Sequence, residues 1–495
     1  MNVSPAAERV PGRGLPLRNF GLSLISKAVS LAAHLAFVML TARLFSKDQI
    51  AVIAVMGIVT IVMDVSKGFG LGTILLKRLP QMEDSEREEA QALVTTYLAY
   101  SLLPPLLLTL LGLAASTRLV WADQSLAGHG DTLRWGLLVS LFTVLSNTNI
   151  LVLQASQKFG HLAMLTLVTA ALQRFMPCLA AVWLGAGLDQ FVRWSVFAAA
   201  LGFVVTCIPL VGILRPWRWR LIEWMAFWPE SRHFYGTSLL RYGATQVDQL
   251  FVALLFPPAT LAVYYMLRRL YSLGVVLIGS MIDALVPELA QQAGTDAVQA
   301  RRKLTEWSRL SLFAGSAGAA LMAGNGSAVI ELLLGPGYGE DPLLIALFAG
   351  TTSLYFLYSF VQIDLLLFQA PDRVLWMAAA TASANLLAGP LTSRWLGVHS
   401  IPLAMLAGYL LGLFAARWQG RTGAATRQVW RFRELATGLA MVTVSSVAPV
   451  LAHQVPLNDW ARAAAVNSVI CGLLAVQFWR YGVGESLRRL SQRTA

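Results

Sequence analysis

Charge is scarce in this chain: only 13% of its 495 residues are Asp, Glu, Lys or Arg, against roughly 25% in a soluble protein. Such a deficit, together with 56% hydrophobic residues, makes lipid rather than water the main solvent. It leaves no room for a soluble catalytic domain. Cysteine is equally sparse. Cys178, Cys207 and Cys471 all lie inside apolar runs, so neither a disulfide framework nor a CxxC metal site is available. No cleavable signal peptide is expected. Residues 1–18 are polar and basic, and the apolar stretch that follows, 19–43, is too long for a signal core and reads as a first membrane span.

What the chain has in abundance is apolar stretches of about 20 residues, the length that crosses ~30 Å of hydrocarbon. They fall at 19–43, 50–76, 92–115, 134–156, 162–184, 191–214, 236–256, 261–287, 309–334, 342–369, 374–396, 400–416, 435–453 and 461–481. The expected fold is therefore all-α, with about 14 transmembrane helices. Six would form an N-lobe (19–214) and six a C-lobe (236–420), with two additional helices over 421–481 and a tail at 482–495.

Between the lobes, residues 215–235 alternate Trp and Arg and are too charged to cross; they read as an amphipathic segment on the membrane surface. A short echo links the halves. Phe20-Gly21-Leu22-Ser23 opens the first span and Tyr235-Gly236-Thr237-Ser238 the seventh. Repeats related by an axis along the membrane normal are a transporter signature.

The formal charge of +12 would suggest nucleic acid in a soluble protein, but here the positive-inside rule accounts for it. With the N-terminus inside, the inward connections and termini hold 25 of the 38 Lys and Arg, the outward connections seven, and the spans six. This bias places both termini in the cytoplasm and removes the case for a nucleic-acid partner.

The charges within the spans are the candidate functional residues: Lys27, Lys67, Arg174, Arg241, Arg268 and Arg269, with Asp64, Asp248, Asp283 and Asp364. Each costs at least ~2.5 kcal/mol at the centre of an isolated helix. Lys27, Arg241 and Asp283 lie near the inward ends of their spans, so the two long basic chains can reach headgroups by snorkelling; Arg174 does not. Spacing favours an internal cavity instead. Ser23, Lys27, Ser30, His34 and Thr41 share one face of the first span. Thr60, Asp64 and Lys67 share a face of the second, Arg241, Thr245 and Asp248 of the seventh, and Arg268, Ser272 and Asp283 of the eighth. Snorkelling does not produce polar stripes several turns long.

Six cations against four carboxylates leave a positive excess, which suits an anion, and Arg suits phosphate through paired hydrogen bonds. Asp64 is expected to neutralise Lys67, and Asp248 to stand opposite Arg241. Asp364, with no basic neighbour in its own helix, is the better candidate for binding H⁺ or Na⁺. No other cofactor and no metal site is expected. His34 is either cavity-lining or a satisfied packing histidine.

Residues Leu44 to Leu75, LFSKDQIAVIAVMGIVTIVMDVSKGFGLGTIL, resemble the second-span region of bacterial polysaccharide flippases of the multidrug, oligosaccharidyl-lipid and polysaccharide exporter superfamily. Asp64, Gly68, Gly70 and Gly72 stand where that family has an Asp-Gly-Gly cadence, with Ser66-Lys67 enlarging the stretch. The resemblance implies an alternating-access exporter, not an enzyme, in the bacterial inner membrane. Its substrate would be an undecaprenyl-pyrophosphate-linked oligosaccharide for exopolysaccharide, capsule or O-antigen synthesis. Membrane lipids, a polysaccharide polymerase and glycosyltransferases would be its partners. It also implies that the first, second, seventh and eighth spans line the cavity.

Two alternatives stand beside it. A cation-coupled multidrug exporter of the same fold wants an acidic cavity. A membrane polysaccharide polymerase or ligase wants a large outward loop, and the longest here, about 116–133, is short. The flippase reading predicts that Ala at Arg268 and Arg269, or at Arg241, abolishes polymer export while the protein still reaches the membrane, which membrane fractionation beside an export assay would check.

Overall fold

In the computed structural model, the described residues are 15–79, 82, 87–115, 128–156, 159–185, 187–214, 224–368, 371–419 and 459–480. Helices account for nearly all of them, and among the described residues there is no strand. The order is α1 (Leu15–Leu44), α2 (Lys47–Ser66), a 3-10 turn (Lys67–Gly70), α3 (Leu71–Arg78), α4 (Arg87–Ala115), α5 (Gly130–Ala155), α6 (Phe159–Trp183) and α7 (Leu188–Leu214). The second half has α8 (Trp224–Thr245), α9 (Val247–Leu255), α10 (Pro258–Thr295), α11 (Ala297–Leu334), α12 (Pro342–Phe368), α13 (Pro371–Leu396), α14 (Ser400–Gln419) and α15 (Asp459–Arg480).

Among the described residues, nine stretches are long and apolar enough to cross a membrane. One of them, Arg373–Trp418, holds two of the expected spans, because the chain reverses at Gly397, in the left-handed region at φ +58°. Shorter apolar pieces lie in α1 and α15. Thirteen of the expected spans thus have helical counterparts; the other, 435–453, lies outside the described residues. The chain is a multi-pass membrane protein.

Packing repeats with an offset of six spans. In the first half α1 packs on α6, α2 on α5, α4 on α5, and both α5 and α6 on α7. In the second half α8 packs on α13, α10 on α12, α11 on α12, and both α12 and α13 on α14. Each pairing has its counterpart, so the short sequence echo marks a duplicated architecture. The fifteenth helix stands outside the repeat and lies antiparallel along α11. Asn325 Nδ2 donates to Asn467 Oδ1 at 2.9 Å, Phe313 meets Phe478, and the space beside Gly324 is filled by Ile470.

Two expected spans are broken. The second stops at the 3-10 turn, where Gly68 (φ +69°), Phe69 (φ +44°) and Gly70 (φ +85°) all adopt positive φ before α3 resumes. Positive φ is costly for Phe and natural for Gly, which explains the two glycines around Phe69. The seventh stops at Gln246, which separates α8 from α9. The linker also departs from expectation. Its residues 215–223 lie outside the described residues, and 224–235 form the opening turns of α8, which runs unbroken into the seventh span. Packing fixes them there: Phe227 is buried under the Arg78 guanidinium at 5.5 Å, and Ser231 is fully buried against Gly70.

Helices α10 and α11 contain 38 residues each, about 57 Å at 1.5 Å per residue, so the pair projects well beyond ~30 Å of hydrocarbon. Asp296 joins them, its carboxylate accepting from the Val298 and Gln299 amides as the cap of α11.

The close approach at Gly70 generates a prediction. A Cβ there would overlap the Ser231 carbonyl and lie 2.9 Å from Tyr235 N, besides the ~1–2 kcal/mol that left-handed geometry costs an L-residue. Gly70→Ala should lower the melting midpoint of the purified protein by several degrees. The control Gly160→Ala, with open space around it, should leave it unchanged.

Candidate functional site

The halves meet along a seam formed by α1 and α2 on one side and by α8, α10 and α11 on the other. It has three contact zones. At the end where α1 starts, the 3-10 turn lies against α8, with Phe69 edge-on to Tyr235 at 5.6 Å. At the opposite end, Arg43 Nη2 donates to Leu332 O at 2.6 Å and Lys47 Nζ to Gly337 O at 3.0 Å, with Lys47 over the Tyr338 ring. Leu332 O belongs to the last turn of α11, where the helix dipole favours cations, and Gly337 O to the turn that follows it. A large apolar cluster also crosses the seam, joining Val38, Ile50 and Val52 to Val252, Leu261, Ile330 and Leu344.

Between those ends lies the third zone. Arg269 Nη2 donates to Tyr265 Oη at 2.6 Å, and the guanidinium sits 4.8 Å from the same ring's centroid. The pair faces Gly57 of α2: a Cβ there would lie 3.4 Å from both Arg269 Nη2 and the Tyr265 ring. The missing side chain is the socket into which the second half's arginine fits. Among the described residues, no carboxylate lies within ion-pair distance of Arg269. Arg174, on α6, and His34, on α1, are within electrostatic range of it.

The other candidates separate clearly. Lys67 Nζ bonds Asp64 Oδ1 at 2.6 Å, with Asn147 Nδ2 approaching the same oxygen at 3.4 Å, so Lys67 is neutralised by its own helix's carboxylate. Asp248 is not opposite Arg241. It pairs with Arg268, Nε to Oδ2 at 2.8 Å, with the two side chains only 2% and 5% exposed. Tyr264 donates to the same Asp248 oxygen at 2.9 Å, Arg268 also donates to Thr245 O, and its guanidinium lies over the Tyr271 ring at 4.5 Å.

The Arg268 bond goes to a carbonyl freed where α8 breaks at Gln246. The neighbouring carbonyl, Ala244 O, accepts from Asn385 Nδ2 at 2.7 Å. Arg268 is thus a buried brace of the broken seventh span rather than an open cavity cation. A helix interrupted inside a bundle must have its freed backbone groups satisfied by neighbours, and Arg268 and Asn385 do this.

Asp364 also has a partner that its own helix did not reveal: Arg301 of α11, Nε to Oδ1 at 3.3 Å, itself over the Phe368 ring. The pair sits near the end of α12 rather than at mid-span. Arg241 is exposed and within electrostatic range of Tyr358. The side chains of Lys27 and Asp283 lie outside the described residues. Among the described residues, no group of three or more His, Cys, Asp or Glu is placed to hold a metal ion.

Arg301, Tyr265, Gly57 and Asn385 escaped the sequence reading. Arg301 was counted with the inward connections. The other three are uncharged and lie in ordinary apolar context.

A duplicated bundle with broken helices and a cationic seam defines a class: the fold of membrane flippases and multidrug exporters. The structure of the lipid II flippase MurJ in an inward closed conformation matches with a TM-score of 0.66 at 11% identity, covering 94% of this chain and 99% of that one. An inward-facing multidrug resistance MATE family transporter of the MOP superfamily matches with a TM-score of 0.62 at 15% identity, covering 83% and 100%. A variant of the Vibrio cholerae MATE transporter VcmN matches with a TM-score of 0.57 at 14% identity, covering 83% and 98%. A sequence comparison with curated proteins finds no significant match. Within this class the chain belongs to the polysaccharide biosynthesis protein family, whose model matches residues 40–340.

The Asp248–Arg268 pair carries a prediction. Removing one member of a buried ion pair costs about 3–5 kcal/mol because it strands the other charge, whereas removing both is far milder. Arg268→Met should collapse the yield of monodisperse protein, and Arg268→Met combined with Asp248→Asn should recover much of it. Loss of export in Arg268→Ala then reports misfolding rather than lost substrate contact.

Proposed function

We propose that this protein flips undecaprenyl-pyrophosphate-linked oligosaccharide from the inner to the outer leaflet of a bacterial inner membrane, both termini cytoplasmic, by alternating movement of its two halves. Family membership supports a role in polysaccharide synthesis, and the fold supports movement of a substrate across the membrane. The observation that carries the reading is the pairing of like charges at the seam. Arg269 from one half and Arg174 from the other lie within electrostatic range of each other, in a setting where hydrocarbon makes charge repulsion expensive. A diphosphate bridging the two would relieve that repulsion and draw the halves together, while the polyprenyl tail stays in lipid. Arg241, which is exposed, is a further candidate ligand, and so by sequence is Lys27.

Binding at the seam also gives the substrate a means of control. An anion held by both halves stabilises the state in which they are closed around it, and the halves separate when it leaves. A ligand shifts such an equilibrium only by its differential affinity for the two states, and contacts from opposite halves supply that difference. The apolar cluster and the Arg43 and Lys47 bonds close one end of the seam, and the 3-10 turn closes the other. Each is a contact that transport must break in turn.

A multidrug exporter of the same fold is the second reading, favoured by the MATE structures. A cationic seam repels the cationic compounds that such a pump would carry.

Arg269→Ala and Arg174→Ala should each lower flipping of a fluorescent lipid-linked oligosaccharide in proteoliposomes by about tenfold or more, the equivalent of a lost charged hydrogen bond, at unchanged protein level. Normal flipping by both variants would exclude the seam as the substrate site. Export of cationic dyes instead of the glycolipid would establish the second reading.

A further inference from the structure

His34 stands on α1, which packs against α6 and α10, the helices that carry Arg174 and Arg269. Its ring is half-buried, and Nε2 is sealed from solvent with no hydrogen-bond partner among the described residues. Leaving such an atom unbonded costs about 1–3 kcal/mol, so the position is not that of a satisfied packing histidine. The surrounding charges narrow its chemistry. Two guanidiniums lie within electrostatic range of the ring. A bare Nε2 lone pair would be an acceptor for those guanidinium N–H groups, yet neither bonds it. A ring carrying its proton on Nε2 fits this setting. That N–H then has no acceptor among the described residues, and an incoming anion would supply one.

We infer that His34 is a ligand of the substrate's anionic head, its Nε2–H donating to a phosphate oxygen held between Arg174 and Arg269. This rests on the seam being the diphosphate site, as proposed above, and adds to it a donor from the first span. Two guanidiniums provide charge but bind any anion. A fixed imidazole N–H adds a directional contact that a phosphate oxygen in the right place accepts. The contact also places the first span on the substrate together with α6 and α10, so that binding involves three helices drawn from both halves of the molecule.

The test uses the full-length protein in detergent, with farnesyl pyrophosphate as the probe and farnesol as the phosphate-free control, read by thermophoresis. Wild type should bind the pyrophosphate and not farnesol. His34→Leu should weaken pyrophosphate binding by about tenfold or more, on the scale of a charge-assisted hydrogen bond. His34→Gln, whose amide nitrogen reaches the Nε2 position, should stay within about threefold of wild type. His34→Asn, whose nitrogen reaches only the Nδ1 position, should be as weak as Leu, and it serves as the polar replacement where Leu impairs folding.

Unchanged binding by Leu and Asn, with loss in Arg269→Ala, would overturn the His34 assignment while leaving the seam as the anion site. Equal loss by Gln, Asn and Leu would also overturn it, assigning His34 to packing. Wild type that fails to bind, or binds farnesol as well, would remove the seam reading itself and the His34 assignment with it.

Discussion

A guanidinium or carboxylate inside a helical bundle surrounded by hydrocarbon cannot rely on water, and most of what is distinctive in this molecule follows from how each such charge is accommodated. There are two solutions here. Lys67 with Asp64, Arg268 with Asp248, and Arg301 with Asp364 are settled within the protein, each cation meeting a carboxylate at 2.6–3.3 Å. Arg269 is settled differently: among the described residues it meets a tyrosine hydroxyl and ring and no carboxylate at ion-pair distance. Carboxylate-paired charges hold the fold. The tyrosine-held charge is the one the proposed function assigns to a ligand.

The same constraint governs the backbone. Breaking a helix inside a bundle frees carbonyls and amides that lipid cannot satisfy, so a break survives only where another element serves it. At Gln246 the service comes from Arg268 and Asn385. At Gly68–Gly70 it comes from tight apposition to α8, which leaves no space for a side chain at Gly70. The second break lies on the seam between the halves and the first lies beside it. A duplicated bundle made only of unbroken helices would have one smooth interface. Breaks at these places instead put each interruption where a distant segment holds it in place.

Much of the molecule was legible in its residues. Apolar runs of membrane length identified thirteen helical passes later seen as helices, and the echo between the first and seventh spans pointed to a repeat that the packing pairs bear out. The expected pairing of Asp64 with Lys67, three residues apart, is present because neighbours on one helical turn have little choice. Pairings between helices were read less well. Asp248 was assigned to the wrong arginine, and Asp364 was judged only by its own helix, which has no basic neighbour, because their true partners, Arg268 and Arg301, lie 20 and 63 residues away.

The division has a physical origin. Burial length, helical periodicity and charge bias are properties of a segment and the solvent around it, so the chain determined them alone: the class of fold, the number of passes expected, and which residues carry charge within them. Whether a given charge is cancelled, cushioned or left to a ligand depends on which helix faces it across a few ångströms. That is set by the packing of distant segments, and only the tertiary structure decided it. It made Arg268 a brace and placed Arg269 in a socket left by a glycine of the opposite half.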